Sequence, residues 1–369
     1  MSSDDDLGEL VLKTISQIPI ITWNLYGSQY IKQAKHCDEE SQSMKHRSRL
    51  FKKEIKPFID GGDAIIFLQE VCNNWRNAIE TWFFKNDYSV YIADYNWGTE
   101  GLGVMIAFPK IYKIKKACVF LPGLEIRQRY ADWQKNFPIE EPFEWEGPFE
   151  DGDQRREMYE NGDMWNPGEL SMISSPLYMM ASQVANKAIC LKLEEKNTRC
   201  TYFVSTYHMP CKFNYPVLMR LHLEETLYYF RRFINENINP CHRNIIIFAG
   251  DLNIAPTSRM LWRIMEHYRF VDAVQPPLED LSQYPITSHA ENSYWQTKKG
   301  VDSVFKKAID YIFVDKENEK LLHHSHEDDP PLIPEIPTPI PNHQQPSDHI
   351  RVLTYLRIQE NIPEGCIIS

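Results

Sequence analysis

Residues 245–254, IIIFAGDLNI, set four consecutive apolar side chains, three of them β-branched, shortly before Gly-Asp-Leu-Asn. Such a run is too short for a buried helix and fits a strand covered on both faces. The strand is expected to stop at Gly250, leaving Asp251 and Asn253 where it leaves the core. In open α/β sheets, sites gather at strand ends, because the backbone there is held from below and free above. Alone, the four residues read more readily as a turn, since Gly, Asp and Asn are common turn formers. The rest of the chain decides between the two.

Other strand candidates end in the same way. Residues 18–26, IPIITWNLY, stay apolar until Asn24, and 63–71, DAIIFLQEV, carry Glu70 at the end. TYFVSTYHMP, 201–210, runs to His208, and AIDYIFVD, 308–315, holds Asp310 inside it. The proline-rich LIPEIPTPIPNHQQP, 332–346, fits neither helix nor strand and reads as an extended connector. It delivers Ser347, Asp348 and His349 to the head of a last strand, IRVLTYL. YSVYIA, GVMIAF, KACVFL and NKAICLKL supply four more strands. Helical spacing marks 43–59, with a basic outer face, and also 75–84, 218–234 and 258–268. This alternation predicts an α/β protein. No repeat of solenoid type is present.

Two imidazoles, four carboxylates and two carboxamides therefore sit at strand ends: His208, His349, Glu70, Asp251, Asp310, Asp348, Asn24 and Asn253. Each has a bland account as a strand closure or cap. Together they do not, because carboxylates converging on one sheet edge repel one another unless a cation is present. Glu70 and Asp348 offer hard oxygen, Asn24 a neutral oxygen, and no Cys or paired-His spacing competes. The expected ion is Mg²⁺ or Mn²⁺. The irregular His323, His324 and His326 cluster reads as a solvated loop rather than a second metal site.

The order WN, QE, YH, GDLN, IDY and SDH, spread over about 18–356, resembles the endonuclease/exonuclease/phosphatase superfamily of magnesium-dependent phosphoesterases. The resemblance implies a four-layer α/β sandwich, two β-sheets face to face with helices outside. It implies that Glu70, helped by Asn24 and Asp348, holds the metal. Asp251 would orient and deprotonate the attacking water, and Asn253 would hold that carboxylate and a phosphate oxygen. Asp310 would orient His349, and His349 and His208 would donate to the non-bridging oxygens. FAGDLNIAPTSRM, AIDYIFV and PSDH look most like the deadenylase and 2′,5′-phosphodiesterase branch, which implies single-stranded RNA or an oligonucleotide as substrate. Inositol-polyphosphate 5-phosphatases would carry Trp-Cys-Asp-Arg where this chain has Ala308, Ile309 and Asp310. Neutral sphingomyelinases share the GD-N and SDH motifs and leave a lipid phosphodiester as an alternative. Abasic-site DNA endonucleases share GDLN but usually carry Asn where this chain has His208. An inactive protein-binding scaffold is disfavoured, since Glu70, Asp251 and His349 are all retained.

Composition bounds these readings. A formal net charge of −11 over 369 residues argues against gripping long duplex nucleic acid with the whole surface, so any such contact is expected to be local. The N-terminal MSSDDDLGEL is acidic where a secretory signal would be basic, and no stretch reaches membrane-spanning length. A cytoplasmic protein is expected. Eight cysteines without a CxxC pair point to reduced thiols. The expected organisation is an acidic tail over 1–17, a catalytic domain over 18–357 and a C-terminal tail over 358–369. Residues 121–182, dense in Trp, Pro, Gly and acid, read as an irregular surface insertion that covers the site or binds an unidentified protein. Its Tyr130, Trp133, Trp145 and Trp165 are candidates for stacking bases or for anchoring the insertion to itself. The terminal Cys366-Ile367-Ile368-Ser369 fits a C-a-a-X pattern, so prenylation of Cys366 and membrane association are expected alternatives. Glu360 and Glu364 beside it would keep such anchoring reversible.

Overall fold

The computed structural model describes residues 15–28, 38–95, 101–136, 175–196, 199–212, 215–274, 284–291, 304–323, 342 and 345–359. The quoted stretch forms the end of β8 (Arg243–Asp251), one residue longer than expected. Its side chains explain its place. Ile245, Ile247 and Ala249 join one apolar cluster and Ile246 and Phe248 another, so both faces of the strand are covered.

Beside it runs β7 (Cys200–His208), parallel to β8 and in register from Cys200 opposite Arg243 to His208 opposite Asp251. A parallel pair needs a crossover, and the helix Pro216–Asn237 supplies it. Gly250 is required by this pairing: a Cβ there would lie 2.0 Å from the Tyr207 carbonyl oxygen. The sheet continues through β12 (Asp310–Asp315), antiparallel to β8 with Asp310 opposite Asp251, to β9 (Phe270–Asp272). On the other side lie β6 (Ala188–Glu195) and β5 (Tyr112–Phe120), giving six strands.

The first sheet repeats the plan. β1 (Ile15–Asn24) runs parallel to β2 (Ile65–Gln69), with Asn24 opposite Gln69, and a helix over Met44–Asp60 connects them. Ser43 caps that helix by accepting from the His46 amide, and Phe51, Ile55, Phe58 and Ile59 recur on its buried face. β3 (Tyr88–Tyr95), β4 (Leu102–Pro109), β13 (Leu322–His323) and β14 (Val352–Gln359) complete the sheet in the order β13-β14-β1-β2-β4-β3. Strands β1, β2 and β4 pack on β8, β12, β7 and β6. The two six-stranded sheets thus lie face to face with helices outside, the four-layer sandwich that the motifs implied.

Strands β9 and β13, and a hairpin of β10 (Ser288–Glu291) and β11 (Val304–Lys307), fall in stretches the sequence reading left without structure. Asp310 opens its strand rather than lying inside it. Both ends of the expected irregular insertion are helical, α4 over Pro122–Asn136 and α5 over Ser175–Ser182, counting Glu39–Gln42, Met44–Asp60 and Asn73–Lys85 as α1 to α3. They dock on the Pro216–Asn237 helix, α6, through Ile126, Ala181, Val217, Leu218 and Leu221. Neither end carries a clear helical period in its sequence, which is why the segment read as irregular. Trp145, Trp165, the connector over 332–341, the tail with Cys366, and His324 and His326 lie outside the described residues, as do the side chains of Tyr130 and Trp133. Among the described residues no helix is long and apolar enough to cross a membrane.

Beneath the docked helices, His222 of α6 is fully buried. Its Nε2–H donates to the Ala181 carbonyl at 2.9 Å and its Nδ1 accepts from the Tyr207 hydroxyl at 2.8 Å. Burial pushes the imidazole down to about 4, against a smaller opposing effect of the Ala181 carbonyl. The unfolded chain would take up a proton near the ordinary value of roughly 6.5, whereas the folded chain resists it. Stability from this group is complete above that value and is lost as the pH falls towards 4, at about 1.4 kcal/mol per pH unit. Between pH 6 and 5 the unfolding free energy of His222→Gln should therefore show a shallower acid loss than wild type in denaturant titrations. Parallel slopes would contradict the assignment.

Candidate active site

The carboxyl ends of both parallel pairs reach one edge of the sandwich. β12 and the segment before β14 start from that same edge. Asn24, Glu70, Asp348 and His349 arrive from the first sheet; His208, Asp251 and Asp310 arrive from the second. All eight residues singled out by sequence are gathered here, seven of them buried and His208 half-buried.

Three non-glycine residues just past the strand ends take left-handed backbone: Tyr26 (φ 55°), Glu70 (φ 54°) and Asn253 (φ 52°). Such conformations cost on the order of 1–3 kcal/mol each and persist only where neighbours impose them. Here the imposed turns aim side chains. The Glu70 carboxylate accepts from the Gly27 amide at 2.7 Å and from Asn24 Nδ2 at 3.0 Å. Asn24 Nδ2 also donates to Asp251 Oδ2 at 2.9 Å, so one amide joins carboxylates from the two sheets. The Asn253 backbone N–H donates to Asp251 Oδ1 at 2.9 Å.

Two placements differ from expectation. Asn24 Oδ1 accepts from the Tyr26 amide at 2.9 Å, so the side chain turns its NH₂ group, not its oxygen, to the carboxylates. The expected oxygen ligand acts in this arrangement as a donor. Asn253 holds Asp251 through its backbone, and its side-chain NH₂ donates to the Met209 carbonyl at 2.8 Å. In both cases the sequence specified the residue but not which way its amide turns.

Both imidazoles approach Asp251. His208 Nε2 lies 3.7 Å from Glu70 Oε1 and 3.7 Å from Asp251 Oδ2. His349 Nε2 lies 3.8 Å from Asp251 Oδ2 and 3.8 Å from Asp348 Oδ1, while its Nδ1–H donates to Asp310 Oδ2 at 2.8 Å. Burial opposes a charge on His349, but Asp310, Asp348 and Asp251 outweigh it and hold the ring well above its usual value. Burial, reinforced by Asp310, lifts Asp251 to about 6 against the pull of His349 and His208. Burial, reinforced by Glu70 and Asp251, lifts Asp348 to about 7 against His349 and Arg47.

These shifts, with the buried Asp310 Oδ1 that has no hydrogen-bond partner among the described residues, suit a site for a cation. Among the described residues, acidic and imidazole atoms of Asp251, Asp310 and His349 lie within 4.8 Å of one another and could hold a metal ion. His349 and Asp310 are already committed to each other through Nδ1. The oxygen-rich donor set as a whole fits a hard divalent ion.

Several supporting contacts could not be read from the sequence, although Trp23 and Ser347 stand within the quoted motifs. Thr287 Oγ1 accepts from the Ile309 and Asp310 amides at 2.9 and 3.1 Å, and the Thr287 carbonyl accepts from the Ile350 amide. Ser347 Oγ donates to the Asn24 carbonyl at 2.6 Å and accepts from the His349 amide, and Trp23 Nε1 donates to the His349 carbonyl at 2.9 Å.

Compared with protein families, residues 21–349 match the Endonuclease/Exonuclease/phosphatase family, and the chain belongs to it. Among solved structures, the human Nocturnin catalytic domain with bound sulfate anion is 13% identical, with a TM-score of 0.56 over 93% of this chain and 95% of that one. ANGEL2, a 2′,3′-cyclic phosphatase in complex with adenosine-2′,3′-vanadate, is 14% identical, with a TM-score of 0.56 over 93% and 96%. An endonuclease/exonuclease/phosphatase from Bacteroides vulgatus is 14% identical, with a TM-score of 0.51 over 93% and 100%. At these identities the likeness is one of fold. No curated protein matches the chain.

Proposed function

We propose that this protein is a Mg²⁺- or Mn²⁺-dependent phosphodiesterase that hydrolyses single-stranded RNA or an oligonucleotide by in-line attack of water. The observation that carries the reading is the setting of Asp251, a buried carboxylate held by Asn24 and the Asn253 amide and faced by two imidazoles. A fixed carboxylate can orient a water and take its proton, and an imidazole on either side can donate to the phosphoryl oxygens as charge develops. Asp310 keeps the His349 ring in one orientation and favours its protonated form. Glu70 and Asp348 are the residues left to hold the ion, which when bound neutralises charge on the phosphoryl and leaving oxygens.

The choice of substrate rests on the motifs that resemble the deadenylase and 2′,5′-phosphodiesterase branch. A nucleotide substrate is in keeping with ANGEL2, a 2′,3′-cyclic phosphatase of this fold whose structure holds adenosine-2′,3′-vanadate. A net charge of −11 is compatible with a single strand gripped locally at the site.

The test is hydrolysis, with Mg²⁺, of poly(A) RNA, 2′,5′-linked oligoadenylate, abasic duplex DNA and sphingomyelin, each beside Asp251→Asn. Adenylate released from RNA or oligoadenylate by wild type, and lost by at least roughly a thousandfold in the variant, is the expected result. Release of choline phosphate from sphingomyelin alone would replace this reading with a lipid phosphodiesterase.

A further inference from the structure

Arg47 lies on the inner side of α2 and is 0% exposed. Its guanidinium is spread between two loops of the site. Nε donates to the Pro346 carbonyl at 2.6 Å, directly before Ser347 and Asp348. Nη2 donates to the Leu25 and Tyr26 carbonyls, both at 2.7 Å, directly after Asn24 and before Gly27. The plane packs over the Trp75 ring at 5.0 Å, and Trp75 Nε1 donates to the same Leu25 carbonyl at 3.0 Å.

A buried cation normally faces a carboxylate, because desolvation is otherwise uncompensated. Among the described residues no carboxylate lies in ion-pair contact with Arg47; three backbone carbonyls and an aromatic face surround it. Burial pulls the guanidinium down to about 10, which still leaves it charged at neutral pH, with Asp348 and Glu70 contributing the opposite pull. A neutral residue of similar size would fill the space without that desolvation. What it would not supply is a rigid planar fork with donors at both ends.

We propose that Arg47 is a positioning residue for the metal site, a fork that fixes the separation between the loop carrying Asn24 and Gly27 and the turn carrying Asp348 and His349. Both loops bear on the carboxylates. Asn24 and Gly27 orient Glu70, while the 346–349 turn presents Asp348 and His349. Tyr26, whose carbonyl Arg47 holds, is one of the left-handed residues, so the fork also restrains the strained backbone beside Glu70. The Ser347 hydroxyl on the Asn24 carbonyl ties the same two loops at a second point, and two ties fix an angle where one fixes only a distance. Arginine is needed because an ammonium reaches one loop well or the other, not both in one plane.

The inference rests on the metal-dependent reading, so the test reads ion binding rather than turnover. Mn²⁺ is titrated calorimetrically into wild type, Arg47→Lys and Glu70→Gln, each checked for cooperative unfolding well above the titration temperature. Wild type is expected to bind, Glu70→Gln to lose binding, and folded Arg47→Lys to bind about 10–100-fold more weakly, the usual effect of losing an outer support of a metal site. Arg47→Lys binding as tightly as wild type overturns the role of Arg47 and leaves the metal reading standing. Wild type that binds no Mn²⁺ overturns both. Should the lysine variant not fold, the intact protein serves: the ¹⁵Nε resonance of Arg47 is expected to shift on saturation with Mg²⁺. A resonance unmoved by the ion overturns the proposal.

Discussion

Replacing His349 by alanine is expected to lower turnover by roughly three orders of magnitude, the scale set by single preorganised donors to a developing oxyanion. The ring enters the site in one pose, with Nδ1 fixed at 2.8 Å on Asp310 and Nε2 turned to Asp251 and Asp348. A preoriented cation loses little in reorganisation as charge builds on phosphorus oxygens, and neither water nor alanine replaces that. Asp310→Asn should act in the same direction while keeping the ring in place. A neutral amide removes the carboxylate charge that holds the ring protonated. Single-turnover hydrolysis with both folded variants measures the two effects. Near-wild-type turnover in His349→Ala would remove the imidazole from the mechanism.

Chelation is expected to return hydrolysis to background and to lower the melting temperature together. Asp251 at about 6 and Asp348 at about 7 are carboxylates whose charges are resisted by burial and by neighbouring acids, Asp310 for the first and Glu70 and Asp251 for the second. A divalent ion offsets that resistance, and it binds the folded chain alone. At a hundred times its dissociation constant the ion would add about 2.7 kcal/mol of stability. For a chain of this size that is a shift of roughly 3–4 °C. Thermal melts in EDTA and in graded Mg²⁺ read the effect directly. Melting curves and hydrolysis both indifferent to the chelator would refute a resident ion.

The eight residues at the edge were legible because each adjoins a β-rich run, Asn24, Glu70, His208, Asp251 and Asn253 at its end and Asp310, Asp348 and His349 at its start. The four-layer sandwich was implied by the resemblance that the motif order carries. The hydrophobic pattern fixes where a strand ends, and chemistry gathers there. Asp251 and Asp310 face each other because their strands pair antiparallel, a pairing that the order of the motifs does not specify. The orientation of side chains was not legible. Asn24 was expected to offer oxygen and offers its amide, since the choice depends on the Tyr26 N–H two residues on. Nor were the Thr287 and Ser347 contacts, because a hydroxyl on a distant backbone leaves no periodic trace. Arg47 was read as part of a basic helix face, yet it lies inward: helical spacing places it near the edge of the apolar stripe, and only the long-range carbonyls at Pro346 and Leu25 draw it in.

One further consequence follows from Asn24, whose single NH₂ group bonds a carboxylate on its own sheet and another on the facing sheet. That group works as a vernier between the two layers. A slip of one layer by a single residue, about 3.3 Å along the strand, would part it from Asp251 and draw His349 away from Asp310. Partly unfolded forms that keep both layers but lose their alignment would thus be silent in any assay, and activity reports the mating of the halves before any spectroscopic signal of strand content changes.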